Sequence, residues 1–484
     1  MPLSTNPASY WTQVALEANR SDFSAPPMTK PPEENGGPTR SSRALAIVHL
    51  AMHDAYFSIL GTTAPWLPNL NAPAAAQDPE AAMAAAADAA LRALYRAPAQ
   101  TTAFDQAYSV FRANHPMPSA SEAWGRHVAE RVVNDRTGDD MFTGDARIDS
   151  SAPYRHRTDP YTPKQRAHGL LWGNCRPFAV PRIDLLPPPG WRPDGFDTNP
   201  WYETEWLQVR DLGARVKHTR VPDETVAGIF WAYDGADSIG TPPRLYAQIC
   251  LQILNATALA KPGMVETQDY VRLLALLTTA MADAGIQAWH WKYEYDLWRP
   301  VVGIREADPS FGPGTSTPGK AEKTLIEWEP LGAPRTNRGS RGTPAFPAYP
   351  SGHATFGSAA FHTIRYYLQQ RGLADPCPEE QPDTIAFEFM SDELNGINID
   401  PDGGIRPRHL RKFKSLWEAT VENSVSRVFL GVHWQFDGIS QTDGAGGAQH
   451  GVPQTPAELG PVGGVWLGRE IARRLEAGGL VHQP

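Results

Sequence analysis

Two arginines, a lysine, two histidines and a Ser-Gly pair fall into three short segments of this 484-residue chain. The segments are Lys292-x6-Arg299-Pro300, Pro350-Ser351-Gly352-His353 and Ser426-Arg427-x5-His433, and they occur in that order. Guanidinium and ammonium groups only donate hydrogen bonds, and a Ser-Gly helix start offers a hydroxyl and free backbone N–H groups. Donors of this kind suit a tetrahedral oxyanion such as phosphate or vanadate. The histidines add groups that can move a proton, attack, or ligate a metal.

Each segment alone has an ordinary explanation. Lys292 and Arg299, seven apart, fall on nearly one helix face, and Pro300 stops or kinks that helix with Arg299 at its end. Cations in a last turn also simply offset the helix dipole. Ser351 reads as a helix N-cap, Gly352 lets the backbone approach a ligand closely, and His353 alone would be an exposed side chain. Arg427 and His433 are six apart, roughly 120° out of phase on a continuous helix. Either Gly431 loosens the turn between them, or the long Arg427 stem reaches around. Alone, His433 beside Trp434 and Phe436 would be a packed core histidine.

The elements that must position these residues read as helices joined by proline- and glycine-rich loops; the chain holds 46 prolines and 41 glycines. Apolar spacing predicts a helix over 41–60, and Asp78-Pro79 opens an alanine-rich one to about Arg96. Thr241 starts another through Ala260, and Thr267 caps a long one running towards Trp298. Further helices are expected from Ser351 to Gly372, over 409–430, and over Leu467–Leu475. Thr384–Phe389 is the one short strand expected, and 145–200 and 305–350 read as loops. The expected class is mainly α, with an N-terminal helical half (1–200) and a C-terminal half (201–484) that carries all three segments, the two expected to form one compact body because the Pro/Gly-rich stretches read as loops and not linkers.

Composition excludes several classes. A net charge of −9 leaves no cationic excess for nucleic acid. Cys175, Cys250 and Cys377 form neither a CxxC pair nor a disulfide framework, so free and mostly buried thiols are expected. The start of the chain shows no basic-then-apolar leader, and the longest apolar stretch, near Leu273–Ala282, is too short to span a bilayer. A soluble protein is expected, cytoplasmic by default, with an unconventional route of export left open and no membrane partner.

Taken together the three segments resemble the signature shared by type 2 phosphatidic acid phosphatases, bacterial acid phosphatases and vanadium-dependent haloperoxidases. Asp437 completes its Ser-Arg-x5-His-x3-Asp form. The run Phe346-Pro347-Ala348-Tyr349-Pro350-Ser351-Gly352-His353-Ala354-Thr355-Phe356-Gly357 is similar to fungal-type vanadium chloroperoxidases. So are Glu393-Leu394-Asn395-Gly396, Ser426 to Trp434, Pro461-Val462-Gly463-Gly464, and His53 to Ser58. The likeness runs from the first helices to the last. Small acid phosphatases are far shorter, and lipid phosphatases carry membrane helices.

The resemblance implies two four-helix bundles with long loops and few short strands, and vanadate at the mouth of one bundle. Phosphate is expected to occupy the same site when vanadate is absent. It implies His433 as the metal ligand, with Lys292, Arg299, Arg427, Ser351 and the Gly352 N–H around the vanadate oxygens. His353 would be the acid–base group and Lys292 would polarise the peroxide oxygen that halide attacks. Trp289 and Phe346 would line the halide side; because histidine commonly replaces the Phe346 equivalent in bromoperoxidases, the chain looks chloro-type. Asp234 would pair with Arg427. Hydrogen peroxide, halide and small organic acceptors are the implied partners, with monomer and homodimer both left open.

Two other readings stay open on the sequence. A soluble acid phosphatase would use His433 as nucleophile and His353 as general acid, and a pure anion binder would need no His353. His49 and His53, one helix turn apart, read as satisfied core histidines and not as a metal pair. Asn398-x-Asp400-x-Asp402-Gly403 has His409 where a calcium loop needs a glutamate, so it reads as a turn.

Overall fold

The computed structural model describes residues 6–22, 34–139, 149–150, 154–163, 167–183, 200–234, 239–305, 327–332, 342–398 and 404–483. Helices dominate: α1 (Pro7–Asp22), α2 (Gly37–Leu60), α3 (Pro79–Leu94), α4 (Pro98–Asn114), α5 (Ser119–Asp135), α6 (Pro200–Leu212), α7 (Pro222–Phe230) and α8 (Pro242–Ala260) precede the long α9 (Thr267–Tyr295). After α9 come α10 (Pro300–Gly303), α11 (Gly352–Gln370), α12 (Leu416–Phe429), α13 (Gln435–Gly438) and α14 (Gly463–Gly478). Two small antiparallel pairs complete the fold, β1 (Phe387–Asn395) with β2 (Arg408–Phe413) and β3 (Gln441–Thr442) with β4 (Ala448–Gln449). No helix among the described residues is long and apolar enough to cross a membrane.

The mainly α expectation therefore holds. α2, α3 and α5 pack on one another, while α8, α12 and α14 gather around α11. α9 touches both sets, packing on α2, α8, α11 and α14. One continuous apolar core runs from Ala8 to Leu480 through its faces. Local chemistry sets many ends. The Asp78 carboxylate accepts from Ala81 N at 2.9 Å, and Pro79 takes the first turn of α3, where no N–H is needed.

Several expected boundaries move. Thr267 does not cap α9: it lies inside the first turn, its hydroxyl donating to Glu80, and the Asp269 carboxylate caps by accepting from Glu266 N at 2.9 Å. The helix stops at Tyr295, because Asp296 turns left-handed at φ 53°. Arg299 is therefore not on the Lys292 helix; Leu297 bridges to Arg155, and Arg299 sits extended as the N-cap of α10. Arg408–Phe413 is a strand and not the start of a helix. Its partner β1 takes it up, and α12 begins only at Leu416, whose N–H and that of Trp417 bond the Asp383 carboxylate. The strand expected at Thr384–Phe389 starts at Phe387 and runs on to Asn395. Most of the expected turn at 398–403 and much of 305–350 lie outside the described residues.

The site-bearing helix α11 is held by glycines of α14. A Cβ on Gly464 would stand 2.5 Å from Ser351 O, and one on Gly468 would stand 2.4 Å from Thr355 O and 2.7 Å from Ala359 N. No side chain fits there, so the two helices meet backbone to backbone. Gly468→Ala is expected to destabilise the protein by about 1–3 kcal/mol, the usual cost of overpacking a tight contact. Urea unfolding of the two proteins side by side measures it; equal midpoints would refute the close-approach role.

Candidate functional site

Three chain segments meet at the N-terminus of α11. The first is the end of α9 with the extended stretch 297–299, where Ala348 N donates to Leu297 O at 2.9 Å. The second is Phe346 to His353. Ser351 caps α11, its N–H donating to Asp437 O at 2.7 Å and its hydroxyl facing Ala354 N at 3.5 Å. Gly352 packs against the Trp289 ring so closely that a Cβ would stand 3.2 Å from it. The third runs from Arg427 to Asp437. α12 ends at Phe429, Gly431 turns left-handed at φ 70° against Gly213 O, and α13 begins at Gln435. That glycine break resolves the phase problem of Arg427 and His433: the two are not on one helix.

Every side chain at the centre is buried. His433 is pinned from both sides, Nδ1 at 2.8 Å from Asp437 Oδ2 and Nε2 at 2.8 Å from Arg299 Nη1. A guanidinium can only donate, so Nε2 carries the lone pair and Nδ1 the proton. Burial, then Arg299, Lys292 and Arg427, hold this imidazole well below its usual pKa, so it is neutral. A neutral Nε2 whose opposite nitrogen donates to a carboxylate is the arrangement of a metal-ligating histidine.

The cations differ in how they are held. Arg299 donates through Nε to Phe346 O and through Nη1 to Val432 O, both at 2.8 Å, and burial lowers it to about 9. Its Nη2 has no partner among the described residues. Arg427 donates through Nη2 to Asp234 Oδ2 at 2.7 Å, while its Nε and Nη1 are buried without partners. Lys292 Nζ donates to the carbonyls of Pro347 (2.9 Å), Ala348 (3.0 Å) and Pro350 (2.5 Å). Burial, then Arg299, push the Lys292 ammonium well down.

His353 Nε2 lies 2.6 Å from Ala232 O and 3.5 Å from Asp234 Oδ1. A carbonyl only accepts, so Nε2 carries the proton and Nδ1 is the basic nitrogen. Burial and then Arg427 lower this imidazole to about 4. Trp289 and Phe346 stand with ring centroids 4.7 Å apart, and Lys292 Nζ is 5.5 Å and 5.0 Å from them respectively. The structure thus brings Lys292, Arg299, Ser351, Gly352, His353, Arg427 and His433 to one place, with Trp289, Phe346 and Asp234 around them.

An oxyanion fits this donor set. Three guanidinium nitrogens, Nη2 of Arg299 and Nε and Nη1 of Arg427, are buried without acceptors among the described residues. A vanadate or phosphate would satisfy them, and the His433 Nε2 lone pair, which here accepts from Arg299, could ligate vanadium or, in a phosphatase, attack phosphorus. Among the described residues no group of three His, Cys, Asp or Glu could hold a metal ion, so a metal here would rest on one protein ligand plus its own oxygens. His49 and His53 are engaged elsewhere: His49 with Leu45 O and Thr12, His53 with Asp54 and Arg272.

Sequence reasoning missed several contributors. Ala232, Val432, Pro347 and Pro350 act through backbone carbonyls, which carry no residue signature. His168 packs beside Phe346 and Trp289 (centroids 6.1 Å and 6.4 Å), and its carbonyl accepts from Trp289 Nε1 and Tyr293 Oη. Glu205 on α6 accepts from Phe436 N at 2.8 Å, steadying the turn after His433, and pairs with His450 at 3.2 Å.

Known proteins resemble this chain along most of its length. Residues 3–165 match the vanadium chloroperoxidase N-terminal domain, and residues 272–449 match the second helical-bundle domain of the same proteins. Vanadium chloroperoxidase of Curvularia inaequalis is 33% identical over 99% of this chain and 91% of its own length. A bacterial vanadium-dependent iodoperoxidase shares the fold with a TM-score of 0.67 at 18% identity, each chain covered in full. The holo form of a bacterial vanadium-dependent chloroperoxidase superposes with a TM-score of 0.58 at 14% identity, over 99% and 98% of the two chains.

Two measurements test the site. Inorganic phosphate titrated calorimetrically should bind the parent, and Arg427→Ala should weaken it roughly 10- to 100-fold, the worth of one charged hydrogen bond or two; undiminished binding would remove Arg427 from the site. His450 is held above its usual 6.5 by the hydrogen bond to Glu205. A raised folded value means this contribution is full below pH 6.5 and is lost as pH rises through the folded pKa. Urea midpoints should therefore decline with pH across that range in the parent, and His450→Gln should flatten the decline.

Proposed function

The chain belongs to the vanadium chloroperoxidase family and is an enzyme of the haloperoxidase type; we propose that vanadate is its resident cofactor and that it uses hydrogen peroxide to oxidise chloride and bromide. The product is hypohalous acid, which halogenates small organic acceptors. The observation that carries this reading is the meeting of a neutral His433 Nε2 lone pair with unpartnered donors of Arg299 and Arg427. A binder of phosphate alone has no use for a lone pair aimed among cations.

Bound vanadium(V) supplies Lewis acidity towards peroxide with no change in its own oxidation state. The residues do the rest. Arg299 and Arg427 offer their free N–H groups to the oxyanion, Ser351 and the Gly352 N–H add neutral donors, and His433 Nε2 holds the metal. Asp437 fixes the His433 tautomer through Nδ1. Lys292, whose ammonium donates to three carbonyls, neutralises charge from behind them, and its lowered pKa would rise with an anion beside it.

His353 takes and returns the peroxide proton at Nδ1. Burial first, and then Arg427, lower its pKa, and a bound anion would offset the cation and raise the imidazole towards neutrality, where a general base works best. Trp289 and Phe346 form the apolar wall on the halide side, with Lys292 over both rings. Phenylalanine at 346, where bromoperoxidases commonly carry histidine, supports chloride as well as bromide as substrate.

The test is reconstitution. Protein purified without phosphate is titrated with orthovanadate, and halogenation of a β-diketone dye by hydrogen peroxide is followed with bromide, then chloride. Vanadate-dependent turnover is expected with both; turnover with bromide alone would discard the chloride assignment. Vanadate-inhibited hydrolysis of p-nitrophenyl phosphate without halide oxidation would replace the reading by a phosphatase. His353→Ala should cut turnover by roughly 100-fold or more while vanadate binding persists, and unchanged turnover would remove His353 from the mechanism.

A further inference from the structure

The contacts that orient His353 and Arg427 come from three consecutive residues after α7. Ala232 O accepts from His353, and Asp234 accepts from Arg427. Between them Tyr233 is held at φ 41°, a left-handed conformation that a bulky residue adopts only when its surroundings impose it. In that conformation the Ala232 carbonyl and the Asp234 side chain can both face the site.

What imposes it is the hairpin β1–β2. Tyr233 N donates to Glu393 Oε1 at 3.0 Å, and Tyr233 Oη accepts from Asp392 N at 2.8 Å. Ser391 Oγ donates to Phe230 O at 2.7 Å, just before the segment. Glu393 is itself fully buried and paired through Oε2 with Arg406, at the root of β2. A buried ion pair gains little stability over an apolar pair of the same size. Burial indeed lifts the Glu393 carboxyl to about 7 despite Arg406. Stability therefore does not account for it, whereas its one bond outside the hairpin goes to the residue that joins the two functional contacts.

We propose that Glu393, clamped by Arg406, is a positioning residue of the reaction: by accepting the Tyr233 N–H it sets the Ala232–Asp234 segment that orients His353 and Arg427. Glu393 touches neither oxyanion nor substrate. The inference rests on the function proposed above, but its oxyanion arm does not depend on turnover.

Two double variants separate the accepted hydrogen bond from the ion pair. Glu393→Gln with Arg406→Met removes both charges and keeps an acceptor oxygen for Tyr233 N. Glu393→Met with Arg406→Met removes the acceptor too. The first should keep kcat and orthovanadate affinity near the parent. The second should lose at least about tenfold in kcat, as expected when reacting groups are displaced by an ångström or so, and should bind orthovanadate more weakly by calorimetry without peroxide or halide. Equal kcat and equal affinity in the two variants would overturn the proposal. A parent inactive in halide oxidation would fail the functional reading, while the calorimetric comparison would still decide the positioning role. If neither pair folds, Tyr233→Gly keeps the N–H bond to Glu393 while removing the side-chain contacts to Asp392 and Gln248. It should show parent-like kcat and orthovanadate affinity, and losses of tenfold or more in both would overturn the proposal.

Discussion

Three positive charges crowd one imidazole among buried side chains, and the rest of the site is arranged around that repulsion. At such separations and in a low dielectric, like charges cost several kcal/mol unless countered. Burial first, and then this repulsion, push Lys292 and His433 well down, and burial draws Arg299 to about 9. An arriving oxyanion relieves all of these at once. The same repulsion therefore favours a compact, highly charged anion at this place.

Holding cations together without an anion requires acceptors that do not move. The protein uses backbone carbonyls: three from Pro347 to Pro350 for Lys292, and those of Phe346 and Val432 for Arg299. Carbonyls can serve only where the chain is not already helical, which explains why the site lies where α9 has ended, before α11 has begun, and in the break after α12. The helices supply rigidity and α11 its free N-terminus. The irregular backbone between them supplies the charge compensation.

Carboxylates are placed sparingly, one per functional group. Asp437 serves His433, Asp234 serves Arg427, and Glu205 steadies the turn that carries Asp437. None pairs with Lys292 or with the free Nη2 of Arg299. Full neutralisation by protein carboxylates would leave nothing for the oxyanion to do. Partial neutralisation keeps the fold tolerable and the site attractive.

Much of this was legible in the residues alone. Short-range chemistry set the helix starts at Asp78 and Ser351, the need for a break near Gly431, and the satisfied state of His49 and His53. The three motifs, read together, pointed to an oxyanion and to a signature shared by phosphatases and haloperoxidases, and runs such as Phe346 to Gly357 and His53 to Ser58 pointed to the haloperoxidases, because side-chain types at fixed spacing are a property of sequence. Other features were decided only by the folded chain. Arg299 left its helix because Asp296 turned left-handed, and 408–413 became a strand because β1 lay beside it. The partners of Lys292 and His353 are carbonyls 55 to 121 residues away, and a carbonyl is the same in every residue. Local propensity cannot foresee a contact whose partner has no side-chain identity and whose distance along the chain is closed only by packing.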